Sequence, residues 1–229
     1  VTRLEKTLGA QFTIVFGQTE CSPVASMTHT TDTLADKAGT IGPPMPHAEV
    51  KIVDPTTGRT APLGAIGEYC TRGYHVMLGY FEMPEATAAA IDAEGWLHTG
   101  DLCAMDERGY CTVEGRLKDM IIRGGENVYP REIEEYLFRH PKVQDVAVFG
   151  VPDTRFGEAV AVWIKLRDGE QASVDEIRAF CEGQIAHYKI PAYVRLVAGF
   201  PLTVTGKIQK FMMRDAMVDE LGLSVAATA

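Results

Sequence analysis

The sequence has no uninterrupted apolar run near the ~20 residues that a bilayer-spanning helix needs, so no transmembrane segment is expected. It has no surplus of positive charge. Its 31 Asp and Glu outnumber 22 Lys and Arg, for a net charge of −9 at pH 7, which argues against a nonspecific nucleic-acid binder, because such a protein offers a basic face to phosphates. It has no cysteine framework either. Cys21, Cys70, Cys103, Cys111 and Cys181 are odd in number, and no two stand at the C-x-x-C spacing of a metal or redox motif. Reduced thiols in a cytoplasmic protein are expected instead. No methionine opens the chain and no targeting segment precedes Val1, so the sequence reads as entering mid-domain, as a piece of a longer protein. What is present is ordinary for a globular chain: 46% apolar and 23% charged residues over a length of 229, enough for one large domain or two small ones.

The densest stretch lies mid-chain, at residues 115–134. Met120-Ile121-Ile122-Arg123 reads as a short strand and Gly124-Gly125 as a turn needing positive φ or a close backbone approach. Pro130 suits a first helical position, where its missing N–H costs nothing. Glu132, Glu134 and Glu135 then load the positive end of the helix dipole. Arg116, Lys118 and Arg123 concentrate cations in an otherwise acidic chain. The stretch suits a nucleotide-handling joint between two lobes, or a hairpin whose charges are simply solvated.

Before the joint, residues 1–9 read as a helix end stopped by Gly9, residues 11–16 as an apolar strand, and 21–48 as irregular loop. Strands at 49–54 and 67–73, a Pro-started helix at 84–91, and a hairpin at 102–114 follow, and the repeated short strands suggest a small barrel-like sheet. After it come a helix at 130–139, strands at 143–151 and 159–166, a helix capped by Ser173 with Glu176, a strand at 193–197, and a helix at 211–221 stopped by Gly222, with a frayed tail. This second part is expected to be a compact α+β unit.

Three short signals bear on chemistry. Gly17-Gln18-Thr19-Glu20 follows a strand and could meet phosphate oxygens through N–H groups and Thr19, with Glu20 for Mg²⁺, or be an ordinary turn. Asp101 could hold ribose hydroxyls or cap a turn. Lys207, after Thr205-Gly206, is a mobile cation on a tight loop, able to neutralise phosphate charge or merely solvated. His98 beside Trp96 reads as packed and hydrogen-bonded.

The order of the motifs adds what no single one carries. Phe16-Gly17-Gln18-Thr19-Glu20, Gly67-Glu68, Trp96-x-x-Thr99-Gly100-Asp101, Gly115-Arg116-x-Lys118-Asp119, Gly124-Gly125-Glu126-Asn127-Val128-Tyr129-Pro130 and Thr205-Gly206-Lys207-Ile208 follow one another. This series resembles the AMP-forming acyl-CoA synthetases of the adenylate-forming superfamily, in its C-terminal portion. The resemblance implies a mixed α/β and α+β fold. Residues 1–117 would be the end of the large nucleotide-binding domain with a small distorted β-barrel, 118–222 a mobile α+β lid, and 223–229 a tail. It implies an acid–thiol ligase using ATP, Mg²⁺ and CoA on a carboxylic, most simply a fatty, acid. By resemblance Gly17, Gln18 and Thr19 contact ATP and Glu20 the Mg²⁺. Asp101 and Arg116 hold the ribose, Lys118 is the hinge, and Lys207 bridges carboxylate and α-phosphate. Gly124 and Gly125 line the thiol channel, and Phe156, Tyr188 and Lys189 flank the CoA nucleotide. The superfamily's Ser/Thr/Gly-rich phosphate loop, which lies upstream of Phe16 in relatives, has no counterpart here, so these residues alone are expected to be inactive. Two other functions compete: delivery of an acyl-adenylate to a carrier protein, and a noncatalytic nucleotide-binding or interaction module. The sequence leaves the acid and the oligomeric state open.

Overall fold

The computed structural model describes residues 1–223, so all of the expected tail beyond Leu223 lies outside the described residues. The chain divides into two compact units, Val1–Leu117 and Lys118–Ala229. No helix among the described residues is long and apolar enough to cross a membrane.

The first unit opens with helix α1 (Thr2–Leu8), which ends at Gly9 in a left-handed conformation (φ 63°). The expected strand at 11–16 is pared down to β1 (Val15–Phe16), paired antiparallel with β2 (Ser26–Met27). The expected loop at 21–48 contains β2 and also helix α2 (Leu34–Gly39), whose N-cap Thr33 accepts the Asp36 N–H. Thr33-Leu34-Ala35-Asp36 is itself a capping signature.

Strands β3 (Glu49–Val53) and β4 (Ile66–Arg72), helix α3 (Pro84–Ala90), and strands β5 (Leu97–Met105) and β6 (Cys111–Arg116) complete the unit. The four strands pair in chain order as an antiparallel meander. The barrel-like sheet is therefore open, with β3 and β6 as its edges. The β6 edge is covered by chain instead of by β3: Ile41 N–H donates to Cys111 O and Cys111 N–H to Gly42 O, which satisfies groups an exposed edge would leave unpaired. Cys21, Ala25, Ile52, Tyr69, Leu97, Cys103 and Cys111 form the core.

The second unit is built on a long hairpin, strands β9 (Val143–Asp153) and β10 (Gly157–Leu166). Before it come β7 (Ile121–Arg123), β8 (Glu126–Val128) and helix α4 (Pro130–Leu137). Helix α5 (Val174–Cys181), strand β11 (Tyr193–Leu196) and helix α6 (Lys210–Leu221) follow it. The far edge of β10 pairs with β11 in parallel at residues 161–164 and with β7 at Gly157.

Successive side chains on a strand point to opposite faces, and here both faces are buried. Val146, Val148, Val160, Val162 and Ile164 pack with Ile133, Leu137, Ile177 and Cys181 of α4 and α5. Ala147, Phe149, Val151, Ala159, Ala161 and Trp163 pack with Met213 and Met217 of α6. A strand covered on both faces needs a near-continuous apolar run, and β9 and β10 have one.

Candidate functional site

Gly17 fixes the start of the first candidate segment. A Cβ there would stand 1.7 Å from Pro23 O, so only hydrogen fits against that carbonyl. One turn of 3₁₀ helix, Thr19–Cys21, follows. It buries Cys21, exposes Thr19 and leaves Glu20 half-buried. The turn is tied to the loop before α3 twice. Met77 N–H donates to Glu20 O at 2.9 Å, and Tyr80 OH donates to Glu20 Oε1 at 2.8 Å. That bond to a carboxylate raises the Tyr80 phenol above its usual value. Gln18 Nε2 is buried with no hydrogen-bond partner among the described residues, a donor that a bound oxygen would satisfy.

Asp101 lies inside β5, which begins at Leu97, ahead of the expected hairpin start at residue 102. The β5–β6 register sets it opposite Arg116, with Arg116 Nε 3.5 Å from Asp101 Oδ1. Its approach is pinned from β4. Thr99 Oγ1 donates to Tyr69 O at 2.6 Å, Gly100 N–H to Glu68 Oε1 at 2.9 Å, and Asp101 N–H to Thr99 Oγ1 at 3.2 Å. The Gly67-Glu68 and Thr99-Gly100-Asp101 motifs are thus one hydrogen-bonded unit. The Cys21 thiol is pushed up mainly by burial and further by the charges of both Glu20 and Asp101.

In the second unit, Lys118 is exposed in a 3₁₀ turn, Leu117–Asp119, at the unit boundary. Gly124 (φ 61°) and Gly125 (φ 87°) make a two-residue β7–β8 turn with both residues left-handed, the conformation of a type I′ hairpin. Phe156 joins them: Gly124 N–H donates to Phe156 O at 2.8 Å, and the guanidiniums of Arg123 and Arg155 lie 4.6 and 4.9 Å from its ring centroid. Tyr188 and Lys189 belong to another 3₁₀ turn, His187–Lys189. Lys189 Nζ is held by the Glu132 carboxylate of α4 at 2.6 Å. Lys207 is exposed on a rigid base, its N–H donating to Thr203 Oγ1 at 3.0 Å while its carbonyl accepts Thr203 N–H at 2.8 Å.

Sequence reasoning missed Tyr80 and Glu68 as supports of this site. Tyr80 is 60 positions from the carboxylate it holds, and nothing local marks it. Glu68 did have a signal, since Gly67-Glu68 stood among the ordered motifs.

Comparison with known proteins bears on both units. The family model for AMP-binding enzymes matches residues 1–81, and that for the AMP-binding enzyme C-terminal domain matches residues 132–207. YngI of Bacillus subtilis (strain 168) is 54% identical over 212 residues, 93% of this chain and 39% of that protein. The mitochondrial medium-chain acyl-CoA ligase ACSF2 of Bos taurus is 49% identical over 213 residues, 93% of this chain and 35% of that protein. The chain therefore spans little more than a third of the length of these relatives. Among solved structures, ATP-bound MatB from Rhodopseudomonas palustris superposes with a TM-score of 0.86 at 34% identity, covering 93% of this chain and 42% of that one. The two matched regions take in more than half of the residues, in the order the motifs set out, and the chain belongs to the AMP-binding enzyme family, the adenylate-forming acyl-CoA synthetases and their kin.

Proposed function

We propose that these residues serve an ATP-dependent acid–thiol ligase, supplying part of its nucleotide site and its lid. In the first half-reaction a carboxylate oxygen attacks the α-phosphorus of ATP, the bond to pyrophosphate breaks, and acyl-AMP forms. In the second, a CoA sulfur attacks the acyl carbonyl, the thiol proton is given up, and AMP leaves. The observation that carries this reading is the Asp101–Arg116 pair set by the β5–β6 register, in the same unit as a Glu20 carboxylate already oriented by Tyr80.

The proposed roles are those the family resemblance implies, and the chemistry of each side chain suits them. Asp101 accepts from ribose hydroxyls, and Arg116 fixes the orientation of its carboxylate. Gln18 and Thr19 donate toward phosphate oxygens. Glu20 has Oε2 left over from its bond to Tyr80, and one carboxylate together with phosphate oxygens suits Mg²⁺. That ion, when bound, would offset charge developing on the phosphates. Lys207 brings an ammonium on a long stem to the point where carboxylate and α-phosphate meet, two anions whose approach is unfavourable without it. Rotation of the lid about Lys118 would then withdraw Lys207 and present Gly124, Gly125 and Phe156 to the pantetheine arm, with Tyr188 and Lys189 at the CoA nucleotide. A fatty acid is the proposed substrate, in keeping with the medium-chain ligase named among the relatives.

The test uses the complete enzyme to which these residues belong. Lys207→Ala is expected to cut ATP–pyrophosphate exchange by about 10²–10³-fold, the usual loss of one aimed charge donor, while thioester formation from supplied acyl-AMP continues. Equal loss of both half-reactions would remove Lys207 from adenylation. Failure to form acyl-AMP from any acid of a straight-chain, branched and aromatic panel would overturn the ligase reading itself.

A further inference from the structure

The sheet of the first unit gathers a second set of reactive side chains, of which only Glu68, through Oε1, is engaged above. Glu68 and Cys70 are two apart on β4 and so share a face, and the register sets Cys70 opposite His98 on β5. Glu68 is 8% exposed and Cys70 fully buried, while His98 is half-buried. Their donor atoms converge. His98 Nδ1 is 2.7 Å from Glu68 Oε2, Cys70 Sγ is 3.5 Å from His98 Nδ1, and Cys70 Sγ is 3.9 Å from Glu68 Oε2. All three atoms lie within 4.8 Å of one another. Asp92 stands behind the imidazole, with Oδ2 3.7 Å from His98 Nε2.

We propose that Glu68 Oε2, Cys70 Sγ and His98 Nδ1 bind one borderline divalent transition-metal ion, Zn²⁺ foremost, with solvent in the fourth position. A sulfur, a nitrogen and a single carboxylate oxygen make a donor set for Zn²⁺ or Co²⁺, not for Mg²⁺ or Ca²⁺, which take oxygen. Tetrahedral zinc with ordinary bond lengths separates S from N, and S from O, by about 3.5 Å, and N from O by about 3.3 Å. The 3.5 Å S···N separation already matches. The S···O distance must close slightly, and the 2.7 Å N···O hydrogen bond must open to admit the ion. Asp92 would then accept from Nε2–H, the carboxylate partner that zinc-bound histidines usually keep.

Charge also balances. Without a cation the Cys70 thiol is pushed up to about 12, by burial first and then by the charge of Glu68. On binding, the thiol proton leaves to solvent, His98 ligates as a neutral imidazole through Nδ1, and thiolate plus carboxylate neutralise the dication. Asp92, behind the imidazole, adds a negative charge close to the ion. Lys51 Nζ lies 4.3 Å from the Trp96 ring centroid beside the site. Because Glu68 Oε1 holds the Gly100 N–H, an ion here would crosslink β4 to β5 next to the segment of β5 that carries Asp101.

The experiment is titration of the chelator-treated chain with Zn²⁺ by calorimetry and with Co²⁺ by absorption. One ion per chain is expected, with a thiolate-to-Co²⁺ charge-transfer band in the near ultraviolet and a raised melting temperature. Mg²⁺ in excess should displace neither metal. Cys70→Ser should abolish the band, and His98→Gln should weaken Zn²⁺ by at least about tenfold, while Cys103→Ser, at another buried thiol of the same sheet, should change nothing. If Cys70→Ser does not fold, the half-exposed His98→Gln carries the test alone. Absence of binding, a band that survives Cys70→Ser, or equal affinity in the His98→Gln variant would each overturn the proposal.

Discussion

Replacing Gly17 by alanine adds one methyl group, and the structure says what it strikes. The new Cβ would lie 1.7 Å from Pro23 O, 2.7 Å from Pro23 C and 2.9 Å from Val24 Cα. All three are backbone atoms, so no side-chain rotation relieves the clash. The shortfall between 1.7 Å and the 3.0 Å floor for real Cβ contacts obliges the two segments to part by at least 1.3 Å. That displacement falls on the turn that aims Thr19 and Glu20. Overpacking of this kind costs about 1–3 kcal/mol, and in a unit of this size each kcal/mol lowers the melting temperature by about 4 °C. A fall of about 4–12 °C is therefore expected. The assay has a natural probe, because the chain has 2 tryptophans, Trp96 in the first unit and Trp163 in the second. A Trp163→Phe background leaves Trp96 to report the first unit alone. Gly39→Ala is the internal control. Its Cβ would meet nothing within 4 Å, and alanine in a compatible helical position changes stability by under about 1 kcal/mol, in the favourable direction. Equal melting temperatures for Gly17→Ala and Gly39→Ala would refute the close-approach argument. In the complete enzyme, Gly17→Ala should also depress adenylation beyond what its lower stability explains.

Three further outcomes are expected. Leu137→Ala empties a fully buried position between α4 and the β9–β10 face and should cost about 2–5 kcal/mol in urea unfolding of the second unit; a loss below about 1 kcal/mol would mean that the core does not depend on it. Asp36 is held below the ordinary aspartate range chiefly by hydrogen bonds from Arg108 and Thr33. A depressed folded value stabilises above the unfolded pKa and is lost as pH falls through the folded one, so Arg108→Ala should lower the melting temperature around pH 6, by a margin that shrinks as the pH falls through the folded value of Asp36. A gap independent of pH would dissociate Arg108 from that carboxylate. Lys118→Pro, which locks φ near −65°, should slow thioester formation more than adenylation in the complete enzyme; equal losses would count against a hinge there.

Much of the local structure was legible because its causes are local. Gly9 and Gly222 stop their helices in left-handed conformations, Ser173 caps α5 by accepting the Glu176 N–H, and Pro84 and Pro130 open theirs. Gly124-Gly125 supplies two adjacent positive φ angles, which other residue pairs adopt only at a cost. The capping signature at Thr33 is equally local, but a short helix inside a polar, Thr-rich stretch has little periodicity to show. The open sheet escaped for a different reason. Short alternating strands are compatible with closure or with an edge, and what decides is whether other chain covers that edge, as residues 41 and 42 do.

The sequence by itself determined where helices and turns begin and end, the apolar strands β9 and β10, and an order of motifs that identified the family, since all of these follow from a residue and its near neighbours. Tertiary structure alone decided that Tyr80 orients Glu20, that Asp101 faces Arg116, that α4 and α5 cover one face of the hairpin and α6 the other, and that Cys70 meets His98 from 28 positions away. Those pairings depend on strand register and loop path, which are set by summed packing over the whole unit and leave no mark at either residue.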